Sequence, residues 1–259
     1  MNKGARLTAR ATPIAEKILR DEEIESLPVD PSEIAESRDI VIQAKPDTEP
    51  GVSGMLLRHG DSFGILYATH IPSIGFQRFS IAHELGHYFL PGHIDHILPG
   101  DGAHSSRAGF VTNDPYELEA DHFAAGLLMP SDLFKRELRK LDPGLGAVEI
   151  LSELCCTSLT ATAIRYAQLS EDAIAVIVST GVAVDYCFMS DAMKSLSNID
   201  WIKKGALLPL DTVTAKLAGD TERVLKSDRA EDELDVQIWL GGTRSTQVTE
   251  EVVGLGELA

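Results

Sequence analysis

The sequence predicts an α+β chain, mainly helical up to about residue 170, with a small β-hairpin or sheet, and β-rich beyond it. Three observations lead there. Apolar residues recur at helical spacing in segments such as Pro13 to Leu19 and Pro115 to Met129. A pair of short, mostly apolar runs divided by a turn interrupts them at residues 55–68. From Ala173 the period switches to strand-like runs divided by Thr180-Gly181, a hairpin signal.

A helix over Pro13 to Leu19 opens the order, and Asp30-Pro31 starts a second, with Asp30 as N-cap and Pro31 at the first helical position. A link rich in Pro, Asp and Gly spans Lys45 to Gly54. Met55 to Arg58, the turn His59-Gly60-Asp61-Ser62, and Phe63 to Ala68 read as a hairpin. A helix containing Phe79 to Leu90 ends before Pro91-Gly92, where it cannot continue. Residues 92–113 read as a loop rich in Gly and His. Asp114-Pro115 starts another helix, which Pro130 stops. Residues 131–168 read as three short helices, broken at Asp142-Pro143-Gly144 and around Thr157. Strands follow at Ala173 to Ser179 and Val182 to Phe188, then β-like runs at Asp235 to Leu240 and Gln247 to Gly254. Two domains are expected, 1–170 and 171–259, with the segment 147–169 closing the first.

A net charge of -17 should repel nucleic acid and anionic membranes, which argues against general DNA binding. Arg6, Arg10, Lys17 and Arg20 are followed by no apolar run, and no stretch approaches bilayer length. Cys155, Cys156 and Cys187 lack C-x-x-C spacing and read as reduced thiols, small and buried. The expectation is a soluble, acidic, cytoplasmic protein.

The segment FSIAHELGHYFL, Phe79 to Leu90, carries the chemistry. His83 and His87, four apart, share one helix face and can point both imidazoles at one metal. Glu84, one step round, can reach a metal-bound water and take its proton as the water attacks a carbonyl. Phe79, Ile81, Leu85 and Phe89 bury this helix, and a buried His-Glu-His face needs a purpose. Gly86 lets another backbone or a substrate approach closely.

Two residues compete to be the third ligand. His93 stands ten positions after His83, as in H-E-x-x-H-x-x-G-x-x-H, but Leu90 occupies the position where that pattern needs a turning glycine. His96 and His104 lie in the same loop, so the spacing is also what a histidine-rich loop produces by coincidence. Glu117 offers the other solution, a His2Glu zinc site. It shares a face with Asp121 and the small residues Ala120 and Ala124, so that helix can pack closely on the first. Asp121 would accept a hydrogen bond from the far nitrogen of a ligand histidine. Glu119 is rotated about 200° from Glu117, so only one of the two faces the site, and the pairing with Asp121 favours Glu117. His122 reads as a surface residue or as support behind the ligands.

Arg78 to His87, followed by Glu117 to Pro130, resembles the ImmA/IrrE family of zinc-dependent metallopeptidases, and the likeness reaches from Pro28 to Leu169. The resemblance implies a zincin-like metallopeptidase core, Zn2+ held by His83, His87 and Glu117, and Glu84 as catalytic base. Members are intracellular proteases of bacteria or phages, several of which cleave a transcriptional repressor. The implied partner is therefore a protein substrate such as a DNA-binding repressor, a basic protein that an acidic surface attracts. Some relatives carry a C-terminal sensory domain, the role expected of 171–259. Residues 147–169 have helix-turn-helix proportions, but Arg165 alone on the second helix, against Glu149 and Glu153 on the first, argues for packing or protein docking over DNA. Tyr116, His93 and His122 are candidate oxyanion donors, and the strand Phe63 to Ala68 is a candidate to pair with substrate backbone. The competing function is a zinc-containing sensor that sequesters a regulator without cutting it.

Overall fold

The computed structural model describes residues 3–46, 51–70, 72–107 and 114–256, with side chains from residue 10 onward. Parts of the predicted link (47–50) and loop (108–113) lie outside the described residues. The chain is α+β and forms two compact units, 1–141 with 150–162, and 142–149 with 163–259.

The first unit opens with α1 (Lys3–Asp21), ten residues longer at its start than the helix expected from Pro13. Pro13 forfeits a helical hydrogen bond, a cost of about 3 kcal/mol. Burial of Ala11, Ala15, Ile18 and Leu19 opposes that cost. α2 (Pro31–Glu36) is capped as expected: the Asp30 carboxylate accepts from the Ser32 N–H, and Pro31 occupies the first position. β1 (Val41–Lys45) then enters a sheet that the sequence reading did not assign to it. β2 (Gly54–His59) and β3 (Ser62–Ala68) form the expected antiparallel hairpin, and β1 lies parallel to β3.

α3 (Ile74–Phe89) starts at Ser73, whose side chain accepts from the Phe76 N–H. The segment read as a loop instead folds into α4 (His93–Ile97) and β4 (Gly102–Ser106). β4 joins the sheet beside β2, giving the order β1-β3-β2-β4. Its sequence, GAHSS, has no strand pattern; pairing with β2 imposes the conformation, with Leu56 opposite His104 and Gly54 opposite Ser106. This order also corrects the expected substrate strand. β3 is hydrogen-bonded to β1 on one side and β2 on the other, so it has no edge to offer a peptide.

α5 (Pro115–Leu128) is capped by Asp114, which accepts from the Tyr116 N–H at 2.8 Å. It packs on both α1 and α3 through the fully buried Ala120, Phe123, Ala124 and Leu127. α6 (Ser131–Leu138), α7 (Leu145–Cys155) and α8 (Leu159–Leu169) follow, with a 112° bend between the last two. That bend suits a helix-turn-helix, but Arg165 is only 7% exposed and cannot serve as a phosphate contact.

In the second unit β5 (Ala175–Thr180) and β6 (Ala183–Met189) pair antiparallel around Gly181 (φ +55°), as expected. α9 (Asp191–Lys194), α10 (Val213–Ala218) and α11 (Thr221–Leu225) lead to β7 (Arg229–Asp235), α12 (Gln237–Leu240) and β8 (Gln247–Val253). The run Asp235 to Leu240, read as β-like, is therefore mostly helix. Val236 and Leu240, four apart, fall on one helical face into a cluster with Met189 and Met193, and the Asp235 carboxylate accepts from the Gln237 N–H. The strand lies just before it, in the charged segment paired with β8. Among the described residues, no single helix is long and apolar enough to cross a membrane.

Candidate metal centre

α3 and α5 build the site between them. Gly86 permits this: a Cβ there would lie 3.1 Å from the Ala120 Cα, so a larger residue would hold the helices apart. His83, Glu84 and His87 are fully buried on α3. Across from them, Glu117 Oε2 lies 3.3 Å from His83 Nε2, and Glu117 Oε1 lies 3.2 Å from His87 Nε2. The two Nε2 atoms are 3.1 Å apart, and the donor atoms of His83, His87 and Glu117 all lie within 4.8 Å of one another. One turn further along α5, Asp121 Oδ1 meets His83 Nδ1 at 2.8 Å. Asp121 thus holds the His83 ring with its Nε2 toward Glu117.

His93 is placed behind His87. The turn that the H-E-x-x-H-x-x-G-x-x-H pattern puts at the position of Leu90 occurs two residues later, at Gly92 (φ +84°), and α4 begins there. Its ring meets His87 through Nδ1 at 3.0 Å and Glu119 Oε2 through Nε2 at 3.1 Å. Both ring nitrogens are engaged away from the Nε2 pair, which leaves none for an oxyanion. Glu119, also fully buried, faces His93 and Arg10 rather than the histidine pair. Tyr116 stacks on His96, ring centroids 4.0 Å apart, and stands edge-on to His93. His122 is half-buried, and its carbonyl accepts from the Thr12 hydroxyl of α1.

Three contributors were not singled out in the sequence. His104, on β4, brings Nε2 to 3.0 Å from Glu117 Oε1, and its ring lies 5.1 Å from that of His87. Gly54 leaves room for Glu84: a Cβ there would sit 2.6 Å from Glu84 Oε1. Arg10 donates to Glu119 and to the Pro91 carbonyl. Strand alternation in His104-Ser105-Ser106 was the one available signal, and it is hidden because all three are polar.

Burial and hydrogen bonding shift the titratable groups of the site strongly. Burial opposes a charged His83, but hydrogen bonds to Asp121 and Glu117 overcome it and lift its pKa to about 10. Burial drives His87 down to about 3, against the pull of Glu117. Glu117 pays for burial yet stays well below the usual carboxylate range because His104, His83 and His87 hydrogen-bond to it. Burial pushes Glu84 up to about 7, with the His83 charge pulling the other way. Both Glu84 oxygens are buried, and the Ser106 hydroxyl beside them also pulls the pKa down. Two imidazoles and a carboxylate, converging beside a buried second carboxylate, fit a divalent metal. The donor set is the one that catalytic zinc uses while keeping a position open.

Residues 35–154 match the family model Peptidase_M78, the IrrE N-terminal-like domain. This segment belongs to the ImmA/IrrE family. The ImmA/IrrE segment includes His83, Glu84, His87, Glu117 and Asp121, and with them His93 and His104. No curated protein matches the chain. Among solved structures, a Mycobacterium tuberculosis transcriptional regulator shares the fold, with a TM-score of 0.50 and 16% identity. The match covers 70% of this chain and 55% of that one, so this chain spans little more than half its length.

Proposed function

We propose that the chain is a zinc-dependent endopeptidase that cuts a specific regulatory protein inside the cell, such as a DNA-binding repressor. The observation that supports this best is the convergence of His83, His87 and Glu117 beside the buried carboxylate of Glu84. His83, His87 and Glu117 would hold the zinc. When bound, it supplies Lewis acidity, which lowers the pKa of a water and polarises the peptide carbonyl.

Each remaining role belongs to a side chain of this protein. Glu84 takes the proton from the attacking water and returns it to the leaving amine. Asp121 fixes the tautomer of His83. His104, part-exposed on β4, is committed through Nε2 to Glu117 Oε1 and so holds that carboxylate in place for the metal. β4 is an edge strand of the sheet and carries His104, so it replaces β3 as the strand along which an extended substrate would lie.

The test uses the zinc-loaded full chain and DNA-binding regulators encoded beside it, with and without chelator. Cleavage that chelator and Glu84→Gln both abolish is the expected result. Tight binding of a regulator without cleavage would instead support the sequestering sensor.

A further inference from the structure

The two histidines of the centre are supported unequally. His83 rests on a carboxylate directly, through Asp121. His87 rests on another histidine: its Nδ1 is 3.0 Å from His93 Nδ1, and His93 Nε2 is 3.1 Å from Glu119 Oε2. Glu119 in turn accepts from Arg10 Nε and, at 3.0 Å, from Arg10 Nη2. Arg10 Nη2 also donates to the Pro91 carbonyl at 3.3 Å, tying down the turn that delivers His93. His87, His93 and Glu119 are all fully buried.

One proton arrangement satisfies the whole chain. For His87 to offer a lone pair at Nε2, its proton must sit on Nδ1, which donates to His93 Nδ1. His93 then carries its own proton on Nε2 and donates it to the Glu119 carboxylate. Arg10 balances the charge of that carboxylate. Each step fixes the next tautomer, and the reverse arrangement would set the His93 Nε2 lone pair against the Glu119 carboxylate and put the His87 proton on Nε2, where a ligand needs its lone pair.

We infer that His93, anchored by Glu119 and Arg10, is a positioning residue that sets the tautomer and aim of His87 and so couples metal affinity to the seating of α1. The inference rests on the metal-centre reading above and adds the N-terminal helix to it. A ligand histidine whose far nitrogen loses its partner costs typically 10–100-fold in metal affinity.

Zinc affinity of the full chain, measured by competition with a chromophoric chelator, tests it. His93→Leu keeps apolar bulk and removes the relay; its zinc affinity should fall about 10–100-fold. His93→Gln, whose amide can accept from His87 and donate to Glu119, should recover most of that loss. Arg10→Met, at a part-exposed position, should give a smaller loss. Far-UV circular dichroism and metal-free thermal unfolding check that each variant is folded. Wild-type affinity in both His93→Leu and Arg10→Met overturns the relay. If His93→Leu does not fold, Arg10→Met decides alone. If both His93 variants lose zinc while Glu117→Ala keeps it, His93 is itself a ligand and the positioning role is wrong. A wild-type chain that binds no zinc would instead bring down the metal centre itself.

Discussion

Glu84 is the residue at which the proposed catalysis and the proposed metal binding separate. Its carboxylate is buried beside the His83, His87 and Glu117 cluster without being part of it. Glu84→Gln should leave zinc stoichiometry unchanged and reduce cleavage by about 10²–10⁴-fold, the usual worth of general acid–base catalysis. Gly54→Ala is a subtler probe of the same group. Its Cβ would lie 2.6 Å from Glu84 Oε1, so the carboxylate must move while the ligands stay in place. Zinc affinity near wild type with a cleavage rate down by roughly 10²-fold is expected, since displacements of about 1 Å near a reacting centre cost that much. Equal activity in Gly54→Ala would show that the carboxylate position seen here is not the working one. The pairing of His83, Glu84 and His87 was legible at once, because helix geometry alone puts residues four apart on one face. Gly54 was not legible, since nothing in its neighbourhood reveals which distant side chain fills its empty space.

At the scale of elements, the α3–α5 contact decides whether the site exists. Gly86 sits against the Ala120 backbone and the Phe123 ring, both buried. Gly86→Val would push the helices apart, at a cost of about 1–3 kcal/mol for overpacking. A lowered Tm together with weakened zinc binding is expected, measured on one preparation by calorimetry and chelator competition. If the melting temperature falls and zinc binding stays intact, the ligands do not depend on this packing. Glu117 and Asp121 were readable as a common helix face, and Ala120 and Ala124 as the small residues that let that face approach. β4 was not readable. GAHSS carries no alternating apolar signal, and its strand state comes from backbone pairing with β2. The same limit hid β7, whose residues are mostly charged, and made α12 (Gln237–Leu240) look extended.

For the whole molecule, the proposed metal centre implies that stability depends on metal. Carboxylates and imidazoles packed without a cation carry unbalanced charge in a poorly solvated place. Chelation should therefore lower the Tm of the unit built on α1, α3 and α5. Zinc at 1,000 times its dissociation constant should restore about 4 kcal/mol by mass action. Calorimetry with and without chelator checks this, and a Tm indifferent to zinc would speak against a built-in metal centre. His83→Ala should abolish the difference between the two traces.

The sequence by itself determined the reactive core: a His-Glu-His helix face, a second helix with glutamate and aspartate on one face, and the family they resemble. Those features are local, governed by a 3.6-residue period that any reader of the chain can count. The tertiary structure alone decided the company these residues keep. It turned the chain at Gly92 and not at Leu90, which moved His93 from a rival ligand to a support behind His87. It brought His104 to Glu117 on a strand with no strand signature, and enclosed β3 between two neighbours. It carried Arg10 from the N-terminal helix to a glutamate 109 residues away. Such contacts depend on which faces pack together, and packing partners far apart in sequence leave no periodic trace in either segment.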